Sequence, residues 1–264
     1  MSEFIAYSDE TEVHTANDLF LMGGYVAPKK DWRWMEAPWQ ERVLNGPPRI
    51  PYMHVREIND SGWRAVHGVS YNEAQNRLAE ASRIMNSFGN AACIISAMRR
   101  SEMEMIFNPC GRKKKYVLKG LEEPDYICFV AYVRLMLAQV KAKWPEATKL
   151  HLIISEKKGI SEHISIFKES MDRVLTASEG RDLLGELRVG DMKVALPLQA
   201  ADVLMWHVQR YYRSGQSQTR IAAPVAHRLS QLIQDGDLHG IVHIWTKSSL
   251  ENFAQDWNKI GWMP

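Results

Sequence analysis

The sequence predicts a mixed α/β domain, and three observations carry that prediction. Two short apolar runs near the N-terminus, at 4–8 and 19–26, read as a strand pair. Two more runs of strand length follow at 91–98 and 149–155. Between and after them, apolar residues recur at helical spacing, so strands come first and then alternate with helices.

The elements follow in order. Residues 4–8 end in the acidic pair Asp9-Glu10, and 19–26 is bounded by Asn17-Asp18 and Pro28, with the turn near 12–17. Gly23-Gly24 weakens the second strand and points to a close backbone approach or a bulge. Asp31 suits the N-cap of a helix over 32–44, in which Trp32, Met35, Trp39 and Val43 share a face and Pro38 forces a kink. A stiff loop, 46–51, precedes the segment 54–58. Residues 71–88 form an amphipathic helix, with apolar side chains at 74, 78, 81, 84, 85 and 88. The run 91–98 is a buried strand, 124–143 a long helix ended by Trp144-Pro145, and 149–155 a strand followed by a helix over 161–175. Pro197 opens a strongly apolar helix to about 212, and 223–234 and 247–257 also read as helical.

The 264 residues are 45% hydrophobic and 24% charged, enough for a sizeable core. Thirty-three Lys and Arg against 31 Asp and Glu leave +2, which excludes a wholesale polycation and an acidic disordered tail. Three scattered cysteines (Cys93, Cys110, Cys128) exclude a disulfide framework and a cysteine zinc site, and the expected setting is reducing and cytoplasmic. No basic-then-apolar leader opens the sequence, and the longest apolar run, 127–140, is broken by Arg134 and too short for a bilayer. No membrane partner is expected.

Three acids stand where acids are unusual. Asp202 lies within Ala200-Ala201-Asp202-Val203-Leu204, on a helix apolar nearly all round, and no residue three or four positions away is basic. Asp9 ends the first strand, on the face of Ile5 and Tyr7, with Glu10 pointing the other way. Glu156 ends the later strand in the same manner. Each has a plain alternative: a backbone-bonded carboxylate for Asp202, the start of a turn for Asp9, a solvated turn residue for Glu156. Together, two strand-end acids and one helix-embedded acid suit hard divalent cations, which take oxygen ligands.

Five short motifs, in order over residues 4–212, resemble the RNase H-like proteins of domain-of-unknown-function family 3800. They are the strand running into Asp9-Glu10, the glycine-containing strand Phe20-Leu-Met-Gly-Gly-Tyr-Val26, the segment Tyr52-Met-His54, the strand Leu152-Ile-Ile-Ser-Glu156, and Leu198-Gln199-Ala-Ala-Asp202-Val203. Two positions depart from that pattern: Thr11-Glu12 stands in place of Ser-Gly, and Glu156 in place of Asp.

The resemblance implies an RNase H-like mixed sheet flanked by helices, with helical insertions, over 1–212; residues 213–264 carry none of its motifs and are expected, from their own helical pattern, to form a C-terminal extension packed on the same domain. Chemically it implies phosphodiester hydrolysis assisted by two Mg²⁺ or Mn²⁺ ions. Asp9 would bridge the metals with Asp202 and Glu156 on either side. Glu10, His54, Glu57 and Gln199 are further candidates for ligand, ligand-orienting or proton-transfer roles. The stretch 99–119 holds seven basic residues against Glu102 and Glu104, and reads as a long loop. Within it Arg99, Arg100, Arg112, Lys113, Lys114 and Lys115 are candidates to contact the phosphates of DNA or RNA, a solvated charge run being the alternative. The competing functional reading is a non-catalytic RNase H-like module binding nucleic acid or protein in a mobile-element or defence system. Homo-oligomerisation is left open.

Other signals point less far. His239 and His243 have metal-pair spacing, but Gly240 and the β-branched residues between them favour a strand with a structural role. Trp32, Trp34 and Trp39 fit core or partner contacts better than base stacking. Gly23-Gly24 lacks the Walker spacing, and no Gly-x-Ser-x-Gly elbow or Cys-His pairing supports acyl transfer.

Overall fold

Alternation decides how the first strand is used. In the computed structural model, β1 (Ser2–Val13) sends Phe4 and Ala6 into one core and Ile5 and Tyr7 towards another. It pairs antiparallel with β2 (Leu19–Pro28) in an unbroken register from Phe4↔Pro28 to Val13↔Leu19. The two glycines therefore mark close approach and no bulge: a methyl group on Gly24 would lie 1.9 Å from the Tyr7 carbonyl oxygen. The described residues are 2–13, 18–107, 124–156, 180–213 and 240–259, with positions 164, 168, 169, 171, 172 and 175 besides.

β3 (Ala92–Arg99) continues the meander antiparallel to β2, and β4 (Ala147–Ser155) lies parallel to β1 on its other side. β5 (Leu184–Gly190) and β6 (Gly240–Ile244) form the two edges, parallel to β4 and β3, giving the order β5-β4-β1-β2-β3-β6. All strands except β2 run the same way, so the ends of β1 and β4 open on one side of the sheet.

Helices cover both faces. The first face, with Phe4, Ala6, Ile94, Met98, Leu150, Leu152 and Ile154, packs on α6 (Pro124–Lys143), whose apolar surface extends all round. Ser8 and Tyr132 share a buried hydrogen bond of 2.7 Å there. The second face carries α7 (Leu196–Arg213), supported by α4 (Tyr71–Ser87), which follows the short helices α2 (Val55–Asn59) and α3 (Ser61–His67) and whose N-terminus is closed by the reciprocal Ser70–Glu73 capping box. The expected kink is present: α1 (Arg33–Pro38) passes at Pro38 into a wider π-type turn, Trp39–Leu44, closed by Asn45 N–H donating to the Gln40 carbonyl. Arg77 of α4 donates to the carbonyls of Val43, Gly46 and Pro48, tying the following loop to the helix layer.

The fold is thus the mixed sheet flanked by helices that the sequence predicts, with three differences. Residues 100–107, read as part of a loop, form α5 (Arg100–Phe107), because Met103 is buried and Arg99 pairs with Glu102 at 3.6 Å across the first turn. β5 was not expected at all. The C-terminal extension is not purely helical: β6 precedes α8 (Lys247–Lys259) and joins the sheet beside β3. The strand expected around His243 is therefore present, while His239, the expected helix at 223–234 and the basic residues Arg112, Lys113, Lys114, Lys115 and Lys119 lie outside the described residues. Of the helix expected over 161–175, the described positions 164, 168, 169, 171 and 172 are helical. Among the described residues no helix is long and apolar enough to cross a membrane.

Candidate active site

The end of β1 and one stripe of α7 build the site. Leu198, Asp202, Met205 and Gln209 are spaced by four, three and four residues and so line one side of the helix. Three of them touch down where the sheet allows it. A methyl group on Gly190 would lie 2.9 Å from Leu198 Cδ1, and one on Gly23 would lie 2.8 Å from Met205 Sδ. Gln209 Nε2 donates to Thr11 Oγ1 at 2.9 Å. Gly23 pairs with Asp9 across the β1–β2 ladder, so the helix is seated beside Asp9 and brings Asp202 to it.

The segment before α2 (Val55–Asn59) is fastened to the same helix. Gln199 Oε1 accepts from Met53 N–H at 3.1 Å and Asp202 Oδ2 accepts from Val55 N–H at 2.7 Å, so both backbone neighbours of His54 are held by α7. His54 Nδ1 lies 3.5 Å from Glu57 Oε1, and Glu57 also accepts from the Tyr52 hydroxyl.

These elements enclose a cleft of about 770 Å³ lined by Asp9, Glu10, His54, Glu156 and Asp202. Asp9, Glu10, His54, Glu156 and Asp202 therefore reach one cavity, while Glu57 does not line it. Asp9 and Asp202 are part-buried in it and Glu156 is exposed at its margin. Burial, then the charges of Asp202 and Glu10, push the Asp9 carboxyl well above the ordinary carboxylate range. The Glu10 backbone N–H and the Ser155 hydroxyl, which donate to it, oppose that shift. Burial also pushes Asp202 up to about 6, against the Val55 N–H and the charge of His54, with Glu57 adding to the rise. The plain reading of Asp202 is thus also present, since it does accept a backbone N–H; the same carboxylate faces a second acid.

The donor set is chemically suited to a hard cation: oxygens from a strand end and a helix, too close to be comfortably ionised together. Among the described residues, no group of three or more His, Cys, Asp or Glu side chains is gathered tightly enough to hold a metal ion. The fit therefore rests on Asp9 and Asp202, with Glu156 on the same lining.

Other candidates fall elsewhere. Gln199 is fully buried and structural: its carboxamide accepts from Trp39 Nε1 at 2.9 Å as well as from Met53, and donates to the Met192 carbonyl at 3.0 Å. Glu57 lines a neighbouring pocket of about 560 Å³ that shares His54, Arg56 and Asn59. Arg99 and Arg100 sit at the end of β3 and do not line the cleft, Arg99 being paired with Glu102. Trp32 and Trp39 are core residues, and Trp34 is 64% exposed with Arg33 over its ring.

The cleft also contains residues that the sequence did not single out: Arg56, Trp206 and Arg213. Arg210 lies 4.6 Å from the Trp206 ring centroid. Nothing in their local sequence distinguishes them from ordinary helix-surface residues. The one available signal is that Trp206 follows Asp202 by a single turn and Arg213 by three. Comparison of the chain with protein-family models and with curated proteins returns no match.

Proposed function

We propose that the chain is a divalent-metal-dependent nuclease of RNase H-like type, hydrolysing phosphodiester bonds of nucleic acid in the cleft between β1, α2 and α7. The observation that carries this reading is the convergence of Asp9, at the end of β1, and Asp202, on α7, on one cleft that Glu10 and Glu156 also line, where burial and the neighbouring acids push the Asp9 carboxyl above its ordinary range. A fold gains nothing in stability from such a conflict, and a bound cation relieves it. The mixed sheet flanked by helices and the five sequence motifs support the same reading.

Asp9 and Asp202 would hold Mg²⁺ or Mn²⁺, with Glu156 contributing from the strand next door. A metal bound there supplies Lewis acidity and an activated water. The chain's own part is to aim the ligands. Ser155 and the Glu10 N–H donate to Asp9, Val55 N–H donates to Asp202, and Glu57, 3.5 Å from His54, would orient that ring to move a proton at the cleft.

The test is cleavage of labelled DNA, RNA and hybrid substrates in Mg²⁺ and in Mn²⁺ by the full chain and by Asp9→Asn and Asp202→Asn. Metal-dependent cleavage lost in both variants, which remain folded, supports the reading. Cleavage that survives both substitutions refutes it, and absence of cleavage and of metal binding in the wild type leaves the non-catalytic module.

A further inference from the structure

The acids explain a metal site but not what comes to it, and the cleft walls carry a different chemistry from its floor. Arg56 lies on the α2 side and Arg213 on the α7 side; both are exposed and both line the cavity that contains Asp9 and Asp202. Positive groups flanking a negative floor suit a ligand whose phosphates approach metal-binding carboxylates while being held from the sides. On the α7 wall, Trp206 lines the cleft and is part-buried against the core that includes Val203, and the exposed Arg210, one turn on and outside the lining, has its guanidinium carbon 4.6 Å from the Trp206 ring centroid. An indole with a guanidinium on it is an extended flat surface of the kind on which bases stack. The cleft, at about 770 Å³, falls within the range that takes one drug-sized ligand, hence roughly one or two nucleotides.

We infer that the cleft takes a single nucleic-acid strand, its phosphates held by Arg56 and Arg213 and a base laid on the Trp206–Arg210 stack. A duplex offers no such base, since its bases are already stacked and paired. This inference rests on the reading of the cleft as a phosphodiester site, but it is tested by binding and not by turnover.

The experiment measures fluorescence polarisation of short labelled strands with the full chain in EDTA, so that no metal-dependent cleavage intervenes. Three probes are compared: an oligothymidylate, an abasic strand with the same number of phosphates, and a duplex. The oligothymidylate is expected to bind at least about fivefold more tightly than the abasic strand, the lower end of what one stacked base contributes. Trp206→Leu, which keeps an apolar contact with the core, should erase that preference while binding of the abasic strand is unchanged. Arg210→Ala, on an exposed residue, repeats the test independently of folding at position 206. Arg56→Ala and Arg213→Ala should each flatten the dependence of log affinity on log salt by about 0.7, with base-bearing and abasic strands affected alike. Equal affinity of the wild type for both strands, or tighter binding of the duplex, overturns the inference. A chain that binds strands as expected yet cleaves none in Mn²⁺ loses only the hydrolytic reading. One that cleaves without any preference for base-bearing strands loses only this inference.

Discussion

Met205 Sδ lies 2.8 Å from where a methyl group on Gly23 would sit, so α7 packs directly on the β2 backbone there, with Ile95 Cγ1 filling the same space from β3 at 2.9 Å. Asp202 lies one turn before Met205 on the same side of the helix, so its approach to Asp9 depends on a missing side chain in the strand beside Asp9. Gly23→Ala should destabilise the protein by about 1–3 kcal/mol, as overpacking does. The double variant Gly23→Ala/Met205→Ala should recover part of that loss, because the helix can settle again. Urea unfolding of the two single variants and the pair checks this; strictly additive losses would mean that the contact does not set the spacing.

Asp202 is expected to work against the stability of the fold above pH 6. Its pKa in the fold is about 6, above the ordinary 3.8, so the folded state binds the proton more tightly than the unfolded state does. The stability this gives is complete below pH 3.8 and is lost as pH rises through 6. Asp202→Asn should therefore raise stability at pH 7.5 by up to about 3 kcal/mol and have no such advantage at pH 3.5. Melting temperatures at the two pH values decide the matter. Asparagine can still accept the Val55 N–H, so the substitution leaves that anchor in place.

Cation binding should show the same conflict from the other side. Mn²⁺ at a hundredfold excess over its dissociation constant would stabilise the wild type by about 2.7 kcal/mol. The shift in melting temperature should vanish in Asp9→Asn and in Asp202→Asn. It should shrink in Glu156→Gln. A shift of equal size in all four proteins would place the metal elsewhere.

His207 gives an acid sensitivity of opposite sign. Ser82 donates to the Leu78 carbonyl, so its oxygen accepts from His207 Nε2–H at 3.2 Å; Nδ1, buried, has no hydrogen-bond partner among the described residues. Burial, with Arg210 adding to it, lowers the imidazole pKa to about 4 from 6.5. The unfolded chain then binds more protons between those values, and stability falls as pH drops from 6.5 towards 4, by up to about 3 kcal/mol. Urea midpoints at pH 7.5 and 4.5 should differ more for the wild type than for His207→Leu. Equal differences would mean that His207 accepts a proton without cost in the fold.

Gln199 holds three parts of the structure at once, and its removal should be felt at His54. Gln199→Leu leaves the buried Trp39 Nε1–H and Met53 N–H without their acceptor, a loss of roughly 2–4 kcal/mol. Hydrogen exchange at Met53 and Val55 should accelerate beyond that of α4, because the segment loses one of its two anchors on α7. Uniform acceleration would point to global destabilisation alone.

The residues that could be read in advance are those whose type conflicts with their surroundings. Asp9, Glu156 and Asp202 are charged residues at the ends of, or inside, apolar runs, and all three line the cleft. Arg56, Trp206 and Arg213 gave no such conflict, since exposed cations and part-buried aromatics are ordinary on helices. Gln199 shows the reverse failure: a polar residue in an apolar helix can serve a site or satisfy the interior, and only its partners tell which. Among the elements, β5 escaped notice because it is a half-buried edge strand bounded by glycine, with Glu186 and Arg188 among its seven residues. α5 was hidden by its leading arginines, although Met103 and Ile106 are spaced by three and Met103 is buried.

The pairing of β6 with β3 also bears on how the chain is made. Cys93 of β3 finds Gly240 only after the 146 residues between them have been synthesised. Until then the edge of β3 away from β2 lacks the strand that pairs with it in the fold, and β3 ends in Arg99, followed at once by Arg100. A nascent chain therefore passes through an interval in which that edge of β3 can meet other chains. Those two cations at its end are the kind of gatekeeper that discourages such pairing.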